Sequence, residues 1–394
     1  MCHGIDQGTD RAADAGYTRR AALASLLCAG LALARAARAV AQPTGRPRPG
    51  PHMGPGMGGG PQAPVEEPPP AAKNGVPLID VHAHLVTRNP GMAGADFAGA
   101  ARAAVSWMDR VGISRMLVMP PPFGAAEIDR AYEYDAFGTA LRAHPGRFGF
   151  LGGSLNPLIH KAAREGTVSA SLERDFTARA QRILADGALG FGELSAEHLS
   201  FFAEHPYNSA PPDHRLFLLL ADIAAERGVP IDLHMEAVPH DMPTPPMFTR
   251  LSSANPPTLR ANLAGFRRLL AHNRKARIVW AHAGYDGTGY RTAQLCRELL
   301  EENPNLAMSL VVPSRMRQLL DEADRARPDW LALVSDLSDR FMVGTDSFHL
   351  SPQMSGLRMP RAWQIRLFVN QLPDEAARRV GSLNAQWIFN LPAA

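Results

Sequence analysis

Beyond residue 75 the chain alternates short apolar runs with longer stretches in which apolar residues recur every three or four positions. The first pattern suits strands buried on both faces, and the second suits helices with one buried stripe. Runs at 77–81, 115–119, 148–152, 188–193, 230–233, 277–281, 306–309 and 341–344 predict eight strands. Between and after them, helices are predicted at 95–110, 125–143, 169–185, 214–227, 261–273, 292–302, 316–322 with 330–337, and 361–370. Asp186-Gly187 and Gly228 stand where helices would exit. Strands and helices in alternation predict a parallel sheet, and eight such units predict an α/β fold of the (β/α)8 TIM-type barrel kind. A doubly wound open sheet would carry a Gly-rich nucleotide turn after its first strand, where this chain has His82-Ala-His84 instead.

The first 75 residues follow neither pattern. In 1–41, Arg19-Arg20 precede an apolar stretch from Ala21 to Ala34, and Ala39-Val-Ala41 forms a small-x-small cleavage site. This resembles a twin-arginine export signal, which implies a periplasmic protein exported already folded. The same residues leave open a mitochondrial-type leader, or an uncleaved signal that tethers the protein to the membrane. The stretch is short for a span, so no stable membrane crossing is expected after cleavage. Residues 42–75 are dominated by Pro and Gly and predict a disordered linker, which leaves 76–394 as the folded domain. The net charge of the 394-residue chain is +3, with +2 falling in 1–41 and +1 in 42–74. A neutral folded part gives no electrostatic case for nucleic acid, and the expected partner is a small-molecule substrate. Homo-oligomerisation is left open. Of the three cysteines, Cys2 and Cys28 lie in the expected signal, and the helical setting of Cys296 predicts a small buried apolar role.

Candidate chemistry collects at the strand ends. His82 and His84 lie two apart on the first strand, so strand alternation turns both to one side, with Asp80 expected there too. Alone the pair says little. Four later strands also finish in a ligand-type residue: Gly190-Phe-Gly-Glu193, Asp232-Leu-His234, Val279-Trp-Ala-His282 and Met342-Val-Gly-Thr-Asp346. Parallel barrels gather such ends at one mouth, and converged imidazoles and carboxylates suit a divalent first-row metal, with zinc expected.

Leu78-Ile-Asp-Val-His-Ala-His84, Ile278-Val-Trp-Ala-His-Ala-Gly284, Val343-Gly-Thr-Asp346 and the closing Gly381-Ser-Leu-Asn-Ala-Gln-Trp-Ile-Phe389 are similar to the amidohydrolase superfamily. They resemble in particular its amidohydrolase-related branch, which includes aminocarboxymuconate-semialdehyde decarboxylase. The resemblance implies His82, His84, His234 and Asp346 as ligands of a single metal. It implies that His282 either binds a second metal or polarises the substrate. Glu193 stands where two-metal relatives place a bridging ligand. One ion and two ions therefore both remain open, the two-ion arrangement having His82, His84 and Asp346 on one and His234 and His282 on the other.

The expected activity is metal-dependent hydrolysis of a carbonyl-type C–N or C–O bond. In it Asp346 takes a proton from the attacking water and passes it to the leaving group, while His282 or a second metal polarises the carbonyl. Non-oxidative decarboxylation by the same ligands is the alternative. The third option is an exported binding protein without catalysis. Glu193 also resembles a ligand of TatD-type deoxyribonucleases, a reading the neutral domain does not favour. Arg88, His198 and Tyr285 are expected substrate contacts, with further candidates His205 and Tyr207 on the loop after Glu193, His240 and Asp241 on the loop after His234, and Asp286 and Tyr290 on the loop after His282.

Overall fold

The structure is a computed structural model, and it describes residues 70–87, 94–122, 132–201, 205–313, 318–354 and 364–392. The expected signal and most of the expected linker lie outside these residues. The last part of that linker does not: Lys73–Gly75 form a 3-10 turn, Lys73 N donates to Asn370 Oδ1 at 3.1 Å, and Asn370 Nδ2 donates to Ala71 O at 2.8 Å.

The strands in chain order are β1 (Leu78–Val86), β2 (Ile113–Val118), β3 (Phe148–Phe150), β4 (Phe191–His198), β5 (Asn208–Ser209), β6 (Pro230–Met235), β7 (Met242–Pro243), β8 (Thr258–Leu259), β9 (Arg277–Ala283), β10 (Leu306–Leu310), β11 (Phe341–Val343) and β12 (Ser347–Leu350). All eight predicted strands are present, as β1, β2, β3, β4, β6, β9, β10 and β11. They pair in parallel in the order β3-β2-β1-β11-β10-β9-β6-β4. Leu189 N to Phe150 O (2.9 Å), Gly152 N to Gly190 O (3.2 Å) and Gly192 N to Gly152 O (3.0 Å) join the two ends of this order. The result is an α/β fold with a mostly parallel central sheet, consistent with a TIM-type barrel.

Two apolar clusters show which way each strand faces. Leu78, Met116, Ile231, Trp280, Met308 and Phe341 pack outward with the helices. Ile79, Val81, Leu117, Met119, Leu151, Val279, Ala307 and Met342 pack together inside. The interior cluster is closed by Ala385, Ile388 and Phe389 of the last helical stretch, which runs through Asp374–Arg378, Arg379–Leu383 and Asn384–Ile388. Asn384 Nδ2 pins that stretch to the start of β11 by donating to Phe341 O at 2.7 Å. It therefore forms a floor at the end where the strands begin.

Most predicted helices are present: Phe97–Val111, Tyr134–Arg142, Ala170–Ala185, Arg215–Arg227, Leu263–His272, Ala293–Glu302, Pro328–Asp336 and Gln364–Val369. The helix expected at 316–322 does not form over its described part. There Asp321 Oδ1 accepts from Ala323 N and Arg325 N, and the side chain closes a tight turn that competes with helical bonding. Helices Asn156–Glu165 and Pro246–Leu251 were not predicted. Cys296 is fully buried, as its pattern implied, and burial pushes its thiol up to about 11. Among the described residues no helix is long and apolar enough to cross a membrane.

Candidate metal centre

Strand alternation would aim Asp80, His82 and His84 together, but the structure separates them. The pairing of β1 with β2 shifts register between Asp80 and Ala83, so Ile79 and Val81 face inward while Ala83 and Leu85 face outward. That irregularity brings His82 and His84 into the mouth and leaves Asp80 out of the cluster. Asp80 instead accepts from Thr345 N at 2.9 Å and Thr345 Oγ1 at 2.5 Å, tying β1 to the residue before Asp346. Burial pushes its carboxyl up to about 6 against those bonds.

Two other ligand-type residues reach the mouth by leaving extended backbone. His282 has φ 66° and Asp346 φ 52°, both in the left-handed region that L-residues enter at a cost of about 1–2 kcal/mol. On β9, Val279 packs inside while Ala283 packs outside, so the change of hand at His282 occurs where the facing changes. Asp346 is held in its turn by Asp346 N donating to His82 O at 2.9 Å.

The six residues singled out in the sequence converge. His82 and His84 are fully buried, Glu193, His234 and His282 nearly so, and the Asp346 side chain is 37% exposed. Glu193 divides its carboxylate between two groups of histidines. Its Oε2 lies 3.4 Å from His82 Nε2 and 3.4 Å from His84 Nε2, with Asp346 Oδ1 3.3 Å from the latter. Its Oε1 lies 2.7 Å from His234 Nδ1 and 3.2 Å from His282 Nε2. His82, His84 and Glu193 thus form one group of donors, and Glu193, His234 and His282 another.

Each histidine of the first pair is held from behind, leaving its inner nitrogen uncommitted. His82 Nδ1 faces Asp232 Oδ1 at 3.2 Å, and His84 Nδ1 donates to Met119 O at 2.9 Å. His82 Nε2 and His84 Nε2 are buried without a hydrogen-bond partner among the described residues. Two donors on one tetrahedral ion, each roughly 2.1 Å from it, stand about 3.4 Å apart. The first group has that spacing and the donor types, so the residues fit a divalent metal. The second group is drawn closer, as an ion pair between His234 and Glu193. His234 Nε2 in turn faces Glu236 Oε1 at 3.5 Å.

The electrostatics follow from burial opposed by contact. Burial works against charge on His82 and His234, but the carboxylates around them prevail. Asp232 and Glu193 raise His82 well above the ordinary imidazole value, and Glu193 and Glu236 raise His234 to about 9. Burial likewise resists ionisation of Glu193, yet His82, His234 and His282 hold it well below the usual carboxylate range. His282 is lowered by burial.

The expected substrate contacts are only partly brought to the site. Arg88 lies outside the described residues. His198 is buried, with its ring 4.6 Å from that of His234 and 4.7 Å from that of His205. Tyr285 is buried three residues after His282, and Tyr285 N donates to His282 O at 3.1 Å. Tyr207 is a part-buried aromatic packed beside the outer cluster of Leu199, Val238, Phe248 and Leu259. Asp241 pairs with Arg260 at 2.6 Å on the surface, and the rings of His240 and Tyr290 meet at 5.6 Å. Asp286 accepts from Thr288 N, Gly289 N and Arg291 N and so shapes its own turn. The sequence reading missed Asp232 and Glu236 as supports of the histidines. The signal for them was their place two residues either side of His234, Asp232 on β6 and Glu236 just past its end.

The amidohydrolase family profile matches residues 79–391. No curated protein sequence matches the chain. Among solved structures, a 2,6-dihydroxybenzoate decarboxylase complexed with 2,6-dihydroxybenzoate is 13% identical, with 80% of this chain and 99% of that one covered at a TM-score of 0.47. A dihydroxybenzoic acid decarboxylase from Polaromonas sp. JS666, with bound manganese and 2-nitroresorcinol, is 12% identical, with 81% and 98% covered at a TM-score of 0.47. A protein from Agrobacterium tumefaciens in its apo form is 14% identical, with 83% and 100% covered at a TM-score of 0.46.

Proposed function

The chain belongs to the amidohydrolase family, and we propose that it hydrolyses a carbonyl-type C–N or C–O bond of a small molecule at a centre where Glu193 would bridge two ions. The observation that carries this reading is the division of the Glu193 carboxylate, Oε2 toward His82 and His84 and Oε1 toward His234 and His282. Charge agrees with it. Glu193, Asp346, Asp232 and Glu236 place four carboxylates in or directly behind the ligand set, enough to balance two divalent ions. His82, His84, Asp346 and Glu193 would hold one ion, and His234, His282 and Glu193 the other, with zinc the expected metal. Bound there, divalent ions polarise a carbonyl and lower the pKa of water from 15.7 to roughly 7.

The chain's own residues supply the rest. Asp346 has the most exposed side chain of the six ligand residues, so it takes the proton of the attacking water and returns it to the leaving group. Asp232 and Glu236 keep His82 and His234 in the tautomers that present Nε2 and Nδ1 to the centre. His198 and Tyr285 are proposed as substrate contacts beside the centre, as Arg88 is from the sequence alone.

Elemental analysis of the purified protein tests the reading. Two equivalents of metal are expected, falling to one or fewer in Glu193→Gln, and hydrolysis in 18O-water should label the product. A single equivalent that Glu193→Gln leaves in place removes the bridged centre.

Decarboxylation by the same family is the second reading. In its favour, His82, His84 and Asp346 alone offer one ion three donors, leaving His282 to protonate the carbon that loses CO2. Release of CO2 without label in the product would select it.

Export is proposed from the Arg19-Arg20 signal, with the mature domain in the periplasm.

A further inference from the structure

Three apolar side chains face the mouth without serving the core. On β12, Ser347 and His349 are buried while Phe348 and Leu350 are partly exposed, and on β1 full burial gives way at Val86, which is partly exposed as well. Strand alternation and register fix where they point. β1 and β12 pair in parallel through Ala83↔Ser347, His84↔Phe348, Leu85↔His349 and Val86↔Leu350. Ala83 and Leu85 pack in the outer cluster, and the His349 ring lies 5.1 Å from that of Trp107 on the helix Phe97–Val111. His84, Val86, Phe348 and Leu350 therefore share the opposite face, the one that carries the ligand residue His84.

Distance ties this face to the centre. The ring of Phe348 lies 4.5 Å from that of His84 with the planes 38° apart, and His84 Nε2 is 3.3 Å from Asp346 Oδ1. Val86 and Leu350 stand one step further out, about 7 Å along the strands. The face is held at both ends: Asp346 N donates to His82 O at 2.9 Å, and Ser351 N donates to Val86 O at 2.8 Å. Among the described residues, Val86, Phe348 and Leu350 stand outside all three apolar clusters. An apolar shelf that fills no core and begins at a ligand residue is surface kept for a bound molecule.

We propose that Phe348, Val86 and Leu350 form the subsite for the acyl group, so that the substrate is an ester or amide whose acyl part is an uncharged apolar chain. The assignment rests on reading the centre as hydrolytic, and it narrows the substrate class. With the scissile carbonyl beside Asp346, the carbons next to it lie over Phe348, and the chain runs outward along Val86 and Leu350. A charged acyl end placed here would lose hydration to three side chains that offer it no polar atom, and the shelf disfavours it.

Calorimetry on metal-loaded protein with acetohydroxamate and hexanohydroxamate tests this, because both present the same head to the metal and differ only in the chain. Hexanohydroxamate should bind about tenfold more tightly to the wild type, as partial burial of its extra methylenes implies. In Leu350→Asn combined with Val86→Thr, that preference should shrink to about twofold through weaker binding of hexanohydroxamate, with metal content at the wild-type value. Phe348→Ala should shrink it as well. Phe348 touches a ligand residue, so the double variant, placed further out, keeps the outcome independent of metal loss. Equal affinities in the wild type, a preference unchanged in the double variant, or no binding of either hydroxamate to the loaded wild type overturns the proposal. Metal stoichiometry separates this from the two-ion reading. One ion, insensitive to Glu193→Gln, defeats the bridged centre, while the affinity ratio still decides the role of the shelf.

Discussion

Asp232 and Glu236 touch the site only through histidines, and their effect should be graded accordingly. Removing the acceptor behind a metal-bound imidazole typically weakens metal affinity 10- to 100-fold. Asp232→Asn and Glu236→Gln should each do so in competition titrations with a chelating dye, while the far-ultraviolet spectrum stays unchanged. The same contacts set the pH dependence. Without metal, His82 sits well above its ordinary value of 6.5 and His234 at about 9, so both hold protons near neutrality. Metal must expel those protons, and apparent affinity should climb with pH and level off above about 9. Calorimetry in two buffers of different ionisation enthalpy should record the released protons at pH 7. At this scale the sequence showed much of the centre. Six ligand-type residues closing five apolar runs were visible, because buried strands make any His or carboxylate at their ends conspicuous. The exclusion of Asp80 was not visible, because it depends on a register shift against β2 that no residue of β1 announces.

Strands and helices were legible where burial is periodic and illegible where a side chain bonds its own backbone. The apolar runs located eight strands but ended five of them, β1, β4, β6, β9 and β10, too early. β1 was expected to stop at 81 and runs to Val86, because β12 pairs with its second half from Ala83↔Ser347 to Val86↔Leu350. A strand whose partner is itself irregular in sequence leaves no apolar signature. The closing stretch shows how unequal elements are in energy. Phe389 is fully buried in the interior cluster, and Phe389→Ala should cost about 3–5 kcal/mol in denaturant unfolding. Ser169 caps the helix Ala170–Ala185 by accepting from Leu172 N at 3.1 Å, and Ser169→Ala should cost about 1 kcal/mol. If the two losses prove equal, the floor is not a packed element.

As a whole molecule, the chain brings strand ends more than 250 residues apart in sequence into one mouth, with a sealed floor beneath. The seam where β3 meets β4 is bonded through Gly152, Gly190 and Gly192, immediately before Glu193, so closing the ring and delivering that carboxylate are one structural event. The parallel α/β class could be read from the alternation, and the amidohydrolase family from the motifs. The bonds that close the ring could not, since they depend on backbone meeting backbone at glycines. The charge asymmetry leads to the remaining prediction. Arg19→Lys with Arg20→Lys should hold the protein in the cytoplasm, with metal content and thermal midpoint unaltered, as fractionation would show. The docking of residues 71–75 against Asn370 has a directional consequence for any segment that precedes them. They lead straight into the first residue of β1, on the floor side, so a tether attached upstream leaves from the floor. An anchored copy would stand with its back to the surface that holds it, and its mouth would open toward the surrounding solution.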